Sequence, residues 1–216
     1  MSMKPVSLKL QLKHPAIYCL YGKPASGKSN LIRYIIAHYQ KKRLCDFVFV
    51  MSGSAFNQYY QSFLPDNQVK NYSDDVLERL LNLCAKKKEN GQRFRVLLVL
   101  DDCIGSARWK SPIVMRMISN HRHYNITITI ASQYPKAVPP NIRSNANLGF
   151  VFYARTKPEL EALFESYGVG FMDNSKQFAD LLKTLKDYEC LVINSRERNF
   201  NKSFRKFKCP LMSKKK

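Results

Sequence analysis

The sequence lacks the features that mark membrane-spanning and secreted proteins. No apolar run approaches the length of a membrane span, and the start of the chain interleaves Lys4, Lys9 and Lys13 with apolar residues instead of forming a signal-type block. The six cysteines lie far apart and include no C-x-x-C pair, so they predict reduced core thiols and no disulfide framework. These absences predict a soluble, intracellular protein with no membrane partner.

Acidic residues are scarce, and positive charge dominates the composition. The chain has 36 Lys and Arg against 16 Asp and Glu, a formal net charge of +20 over 216 residues. A balance this basic favours a polyanionic partner over a free metabolite, although a basic protein without such a partner remains the alternative. The length is sufficient for a full hydrophobic core and predicts one domain.

The strongest motif is a glycine-bounded loop, residues 22–29, between an apolar strand-like run and a helical pattern. It fits the phosphate-binding pattern G-x-x-x-x-G-K-[ST], in which Gly22 and Gly27 permit a tight loop with inward N–H groups. Lys28 reaches the β- and γ-phosphates of a nucleotide, and Ser29 offers a hydroxyl to Mg²⁺ at the positive end of the following helix. The predicted nucleotide-binding residues are Gly22, Lys23, Pro24, Ala25, Ser26, Gly27, Lys28, Ser29 and Asn30.

A second motif is the apolar run of residues 96–100, which ends in Asp101 and Asp102. In P-loop enzymes such a strand lies close to the phosphate loop, so Asp101 is expected to hold Mg²⁺ through water beside Ser29. Asp102 is expected to orient or deprotonate the attacking water. Two adjacent Asp after a strand often form only a turn or a helix cap, but the phosphate loop in the same chain favours the catalytic interpretation.

The remaining apolar segments alternate between strand and helix patterns. Short all-apolar runs, typical of strands buried in a parallel sheet, are separated by segments with helical periodicity. The alternation predicts an α/β fold with a mainly parallel sheet sandwiched by helices. Gln133 follows one of these strands, where it can sense the γ-phosphate or hold the attacking water.

Residues 52–72 are polar and aromatic and predict a loop. Their aromatic side chains are Phe56, Tyr59, Tyr60 and Phe63. These rings either stack on nucleic-acid bases or pack the loop onto the sheet, and packing is the commoner role.

Five motifs, taken in order, resemble the FtsK/HerA class of DNA-translocating ATPases, and within it the poxvirus-type DNA-packaging ATPases of large DNA viruses and virophages. The motifs are Gly22-x4-Gly27-Lys28-Ser29, Leu98-Val99-Leu100-Asp101-Asp102, Arg122-x3-Ile126, Ala131-Ser132-Gln133-x-Pro135 and Ile142-Arg143-Ser144-Asn145. The resemblance covers roughly residues 15–195. It implies a RecA-like P-loop NTPase core in which the strand before Gln133 lies between the phosphate-loop strand and the strand before Asp101.

The resemblance also implies an activity and its partners. The implied activity is ATP-driven translocation of double-stranded DNA, above all the packaging of a viral genome into a capsid, by Mg²⁺-dependent ATP hydrolysis. The subunits would form a homo-oligomeric ring, a pentamer or a hexamer, with a capsid or portal-vertex protein as a further partner. The expected location is the viral factory of the host cell or the virion.

Two arginines are candidates for a contact that hydrolysis in such rings commonly needs, an arginine supplied by a neighbouring subunit. Arg143 is the first candidate and Arg122 the second, and either could instead contact a DNA phosphate or act within its own subunit. Many members of the class have Glu at the position of Asp102. Because Asp is one methylene shorter, its reach to the water needs help from Gln133 or a second water.

Residues 196–216 form a basic tail beyond the predicted ATPase core of residues 1–195, which begins with a short N-terminal arm. The tail has nine basic residues against one acid, with Phe200, Phe204 and Phe207 among them. An edge strand of this composition would bury its rings on one side and present cations to DNA phosphates on the other, and a solvated, disordered end is the alternative. The DNA-binding candidates are Arg198, Lys202, Arg205, Lys206 and Lys208.

Two other functions fit part of this pattern. A P-loop nucleoside or nucleotide kinase would share the size and the phosphate loop, but it would leave the motifs around Gln133 and Arg143 without a task. A non-catalytic, nucleotide-binding DNA accessory protein would bind ATP without DNA-stimulated turnover.

Overall fold

The computed structural model describes residues 12–54, 57–103, 109–154 and 156–212, so most of the expected N-terminal arm lies outside the described residues. The strands are β1 (Ile17–Tyr21), β2 (Phe47–Ser52), β3 (Val69–Lys70), β4 (Val96–Asp101), β5 (Ile126–Ser132), β6 (Leu148–Val151), β7 (Glu189–Asn194) and β8 (Phe204–Lys208). The α-helices are α1 (Lys28–Lys41), α2 (Asp74–Glu89), α3 (Pro112–Asn120), α4 (Pro140–Asn145), α5 (Lys157–Tyr167), α6 (Ser175–Lys183) and α7 (Phe200–Ser203). None of the described helices is long and apolar enough to cross a bilayer.

The strands of the described residues form one eight-stranded sheet in the order β3-β2-β4-β5-β1-β6-β7-β8. Most neighbouring strands pair in parallel, whereas β7 runs antiparallel to β6 and β8 antiparallel to β7. Every residue of β4 and β5 is buried, as expected for central strands of a parallel sheet that is covered on both faces. The predicted α/β fold with a mainly parallel sheet is confirmed, and β5, which leads to Gln133, lies between β4 and β1.

The chain divides into two compact units. Of the described residues, 18–31 and 132–211 form the first, called here the P-loop unit. Residues 12–17 and 32–131, with residue 212, form the second, called here the carboxylate unit.

The P-loop unit has an aromatic and aliphatic core. Tyr18 of β1 meets Phe150 of β6 edge to face, with ring centroids 6.2 Å apart, and Phe178 of α6 is fully buried. Helix α6 begins where the sequence provides a cap, because Asn174 Oδ1 accepts a hydrogen bond from the Gln177 N–H at 3.1 Å. This packing fixes β1 and β6, whose ends carry the phosphate loop and its neighbours.

The carboxylate unit buries one face of α2 and one face of α3. Leu77 and Leu81 of α2 and Met117 of α3 are almost inaccessible to solvent. Ser111 caps α3 by accepting from the Val114 N–H at 3.4 Å, with Pro at the first helical position. The packed helices support β4, from whose carboxyl end the two aspartates emerge.

Candidate nucleotide-binding site

The phosphate loop, residues 22–29, requires glycine at both of its fixed glycine positions. A Cβ on Gly22 would lie 2.6 Å from Ser26 Oγ and 2.8 Å from Phe152 Cβ, closer than real Cβ atoms come. Gly27 has φ +106°, a backbone conformation that residues with a side chain rarely adopt, and its Cβ would lie 3.3 Å from Phe152 Cε1. The loop is therefore wound tightly against Phe152, the residue that follows β6.

The loop carries a cation and a hydroxyl turned inward. Lys28 is buried, and its ammonium donates to the carbonyl oxygen of Gly22 and, at 2.9 Å, to that of Lys23. Ser26 Oγ is buried and has no hydrogen-bond partner among the described residues. Helix α1 starts at Lys28 with no acidic residue in its first turn, so its positive dipole end is not compensated. The loop thus fits the phosphates of a nucleotide, which would accept from these donors.

Gln133 lies beside the phosphate loop. The Gly22 N–H donates to the Ser132 carbonyl oxygen at 3.3 Å, which ties the end of β5 to the first residue of the loop. Gln133 and Pro135 line a small cleft together with Gly22 and Lys23. The structure therefore brings the predicted γ-phosphate sensor and the phosphate loop together within the P-loop unit.

Arg143, the first candidate for an arginine that acts on a neighbouring subunit, makes several hydrogen bonds within its own chain. Its side chain is buried, and its Nη1 donates to the carbonyl oxygens of Pro135 at 3.1 Å and Val138 at 2.6 Å. Its Nε donates to Ser166 Oγ at 2.8 Å. All of these acceptors belong to the same chain, and the hydrogen bonds hold the segment that follows Gln133 in place. Arg122 is exposed, and both arginines remain predicted candidates.

Asp101 and Asp102 sit at the end of β4 in the carboxylate unit, in different surroundings. Asp101 is buried and accepts a hydrogen bond from the Tyr60 hydroxyl at 2.5 Å. Asp102 is half-buried and has φ +50°, which is uncommon for a residue other than glycine. A Cβ on Gly53 would overlap the carbonyl oxygen of Asp102, so the backbones of the two segments approach very closely.

Tyr60 is a site residue that the sequence pattern did not identify. Burial, and then the neighbouring Asp101 carboxylate, raise the pKa of its hydroxyl well above the usual value, so the hydroxyl stays protonated as a donor. Its ring packs against Tyr59 and Phe63, with centroids 5.2 and 5.9 Å away. The Arg33 guanidinium lies over the Phe63 ring at 4.6 Å. These contacts favour the packing role for the aromatic loop, and Phe56 lies outside the described residues.

The described part of the chain contains no group of three or more His, Cys, Asp and Glu side chains that could hold a metal ion. A P-loop site does not require one, because Mg²⁺ there is bound by one or two protein oxygens, phosphate oxygens and water. Ser29 and Asp101 remain the predicted ligands.

The basic candidates at the end of the chain differ in exposure. Arg198, Lys202 and Lys208 are exposed, whereas Arg205 is half-buried within β8. Lys206 donates through Nζ to the Thr184 carbonyl oxygen at 3.0 Å, so its charge is partly used inside the chain. Arg198, Lys202 and Lys208 are therefore the candidates best placed to bind a polyanion.

The segment after β8 returns to the start of α1. Asn30 Nδ2 donates to the Pro210 carbonyl oxygen at 2.9 Å, and the Cys209 thiol lies 3.8 Å from the Asn30 carbonyl oxygen. The end of the basic tail thus contacts the residue that follows Ser29. No local pattern in the sequence signals this contact, because it joins residues 180 positions apart.

A second and larger cleft, the lateral cleft, adjoins the phosphate loop within the P-loop unit. Its volume is about 570 Å³, within the range of ordinary small-molecule sites. It is lined by residues 23–26 of the loop, by Phe152 and Tyr153, and by six residues of the segment 183–189. That segment contains no sequence motif, so only the structure reveals it beside the loop.

Comparison with known proteins identifies relatives in large DNA viruses. The family model described as Poxvirus A32 protein matches residues 7–196. The chain is 26% identical over 186 residues to the uncharacterized protein 015R of Frog virus 3 (isolate Goorha). The match covers 83% of this chain and 56% of that protein, so the chain spans little more than half the length of this relative.

The fold is similar to that of solved NTPase and ATPase structures. The genome packaging NTPase B204 from Sulfolobus turreted icosahedral virus 2, in complex with ATP-gammaS, matches with a TM-score of 0.68 and 22% identity over 92% of this chain and 98% of that chain. The cytoplasmic domain of the Thermomonospora curvata type VII secretion ATPase EccC matches with a TM-score of 0.64 and 12% identity, over 92% of this chain and 24% of that chain. The resemblance drawn from the motifs is confirmed, and because the family model spans residues 7–196 this chain belongs to the poxvirus A32 protein family.

Proposed function

We propose that this protein is an ATPase that packages viral double-stranded DNA into a capsid. The observation that carries the proposal is the phosphate loop, which has two positions that favour glycine, a buried Lys28 ammonium and a buried Ser26 hydroxyl with no partner among the described residues. Membership of the A32 family and the shared fold with a packaging NTPase support the DNA-packaging role.

Each residue has a role in the proposed reaction. Lys28 and the loop N–H groups bind the β- and γ-phosphates. Ser29 and, through a water, Asp101 would hold Mg²⁺, which would neutralise charge on the phosphate oxygens. Asp102 accepts a proton from the attacking water, and Gln133 orients that water or senses the γ-phosphate.

Two substitutions test the ATPase proposal. Lys28→Ala should abolish turnover and weaken ATP binding, whereas Asp102→Asn should keep ATP binding and lower turnover by ~10² or more. Lys41→Ala and Asp66→Asn, at exposed positions far from the loop in sequence, are the matched controls. Hydrolysis at the normal rate by Lys28→Ala would refute the proposal, and normal hydrolysis by Asp102→Asn would mean that another group is the base.

We propose further that the subunits form a pentameric or hexameric ring in which Arg122 acts on the nucleotide of a neighbour. Arg122 is exposed in the turn that follows α3. The test mixes an Arg122→Ala subunit, whose phosphate loop is intact, with a Lys28→Ala subunit, whose Arg122 is intact. Recovery of turnover in the mixture is expected, since a trans arginine contributes ~10³ or more in rate. Failure to recover at every ratio would exclude action across an interface.

DNA binding by the basic tail is the third part of the proposal. The exposed Arg198, Lys202 and Lys208 would bind duplex phosphates without reading base sequence, as a translocating motor requires. Replacing all three with Ser should flatten the slope of log affinity against log salt by ~1 to 3 units. The control replaces Lys86, Lys88 and Arg93, which are also exposed. If only the control changes the slope, the DNA-binding surface lies on the carboxylate unit.

A further inference from the structure

We infer that the lateral cleft is the nucleoside pocket of this ATPase, with the base of the nucleotide stacked on the ring of Tyr188. The inference rests on the proposed function, because it requires that the phosphates of the same ligand occupy the phosphate loop. It assigns to the segment 183–189 a ligand contact that no motif of the sequence indicates.

The position and size of the cleft fit a nucleoside. Residues 23–26 of the phosphate loop form one wall, so a ligand whose phosphates are in the loop extends directly into this space. A volume of about 570 Å³ is in the range of pockets that enclose molecules of nucleotide size. The segment 183–189 lines the cleft with both basic and acidic side chains, and Lys183 is already paired with Asp180 at 2.8 Å, so this part of the lining has no clear charge preference.

Tyr188 is held beside the loop with much of its ring exposed. A Cβ on Gly27 would lie 3.3 Å from Tyr188 Cδ1, which places the edge of the ring against the phosphate loop. Yet 51% of the Tyr188 surface remains accessible to solvent, unlike Phe152, which is 2% accessible and packs under the loop. An exposed aromatic face next to a phosphate site is what stacking on a base needs.

The backbone at Tyr188 is unfavourable for tyrosine. The Glu189 N–H donates to the Lys186 carbonyl oxygen at 3.0 Å, which closes a turn with Tyr188 at its third position and φ +62°. Turns with a positive φ at that position favour glycine or asparagine. A contact between the ring and a ligand would offset part of the strain of this backbone conformation.

The turn is braced so that the ring is in place before a ligand arrives. The Lys186 N–H donates to Glu189 Oε2 at 3.0 Å, and the Thr184 hydroxyl donates to the Leu181 carbonyl oxygen at 2.6 Å. Lys206 of β8 donates to the Thr184 carbonyl oxygen at 3.0 Å, so the basic strand supports this wall of the cleft. A rigid ring loses little entropy when a base stacks on it.

The test compares ATP with inorganic tripolyphosphate, which has the phosphates and no nucleoside, in titration calorimetry. Tyr188→Gly should weaken ATP binding about tenfold or more and leave tripolyphosphate binding within about twofold, because the stacking contact is lost while the phosphate-binding donors of the loop remain. Tyr188→Phe should bind ATP like the unaltered protein. The thermal midpoint of Tyr188→Gly should not fall, since glycine adopts the positive φ without strain. Arg43→Gly, at an exposed residue with φ +51°, is the control for that backbone change and should alter neither affinity.

Three results would overturn the inference. Tyr188→Gly could bind ATP normally, it could lose ATP and tripolyphosphate equally, or the unaltered protein could bind the two ligands with equal affinity. Failure of the proposed function looks different, since the unaltered protein would then bind neither ligand and Lys28→Ala would change nothing. That outcome would overturn both proposals together.

Discussion

The phosphate loop and the carboxyl end of β4 are held in shape by different means. The loop depends on backbone space: Gly22 and Gly27 pack against Phe152 where no side chain fits. The end of β4 depends on a side chain, because the buried Asp101 accepts from the Tyr60 hydroxyl. The first region combines a local motif, residues 22–29, with the distant Phe152, and the second depends on two residues 41 positions apart.

This difference has a consequence for function. A loop shaped by the absence of side chains presents its N–H groups in a fixed arrangement and tolerates little change. A carboxylate that accepts a hydrogen bond from a tyrosine hydroxyl can accept one from a metal-bound water instead, when such a water is present, because both groups are O–H donors. We expect a single substitution in the loop to cause a large loss of ATP binding. We expect a single substitution at the end of β4 to cause a smaller loss of hydrolysis or stability.

The largest expected effect is therefore at Gly27. Gly27→Ala adds backbone strain at φ +106° and places a methyl group 3.3 Å from both Phe152 and Tyr188. A combined cost of about 3 kcal/mol would correspond to a loss of ~10² in ATP affinity. Equilibrium binding of ATP is the measurement.

Gly91→Ala is the matched control for Gly27→Ala. Gly91 also has a positive φ, +68°, but a Cβ there meets nothing within 4 Å. This variant should lose about 1 kcal/mol of stability from backbone strain and keep its ATP affinity. If both variants bind ATP normally, the phosphate loop is not the rigid element described above.

Local spacing explains why the loop was predictable and much of its surroundings was not. The pattern from Gly22 to Ser29 specifies its own fold, and the apolar runs specify the parallel strands of the sheet. The burial of Arg143 follows from carbonyl oxygens of the Pro135 and Val138 turns, which a motif comparison does not contain. The motif places an arginine in the chain but does not say whether its guanidinium faces a neighbour or its own core.

The positions of Tyr60 and Tyr188 were also not predictable from the sequence. Tyr60 belongs to an aromatic run whose composition predicts packing, and nothing in that run indicates which ring reaches Asp101. Tyr188 stands in a turn without glycine, so turn chemistry alone gives no signal of its positive φ. Both residues acquire their roles from tertiary contacts, which a single sequence does not specify.

A smaller effect is expected when the backbone at the carboxylate end is altered. Gly53→Ala places a Cβ onto the carbonyl oxygen of Asp102, so one of the two segments must shift. Overpacking of this kind costs about 1 to 3 kcal/mol of stability, and a displaced Asp102 should lower hydrolysis by ~10-fold or more. ATP affinity should remain normal, and a loss of binding equal to the loss of turnover would contradict the division between the two regions. Phosphate release measured at fixed time points gives the rate of hydrolysis, and ATP titration of the same preparation gives the affinity.

The narrowest effect, on stability alone, is expected from Tyr60→Phe, which removes one hydrogen bond and keeps the aromatic packing. A hydrogen bond to a buried carboxylate contributes about 1.5 to 3 kcal/mol, so the free energy of unfolding in urea should fall by about that amount or somewhat less. Tyr72→Phe is the matched control, because the Tyr72 hydroxyl donates to Asp74 Oδ1 at 2.6 Å and both residues are partly open to water. Water can replace that donor, so the control should lose less than about 1 kcal/mol. Equal losses in the two variants would mean that the Tyr60 hydroxyl does not hold Asp101, and the carboxylate end of β4 would then depend on backbone placement as the phosphate loop does.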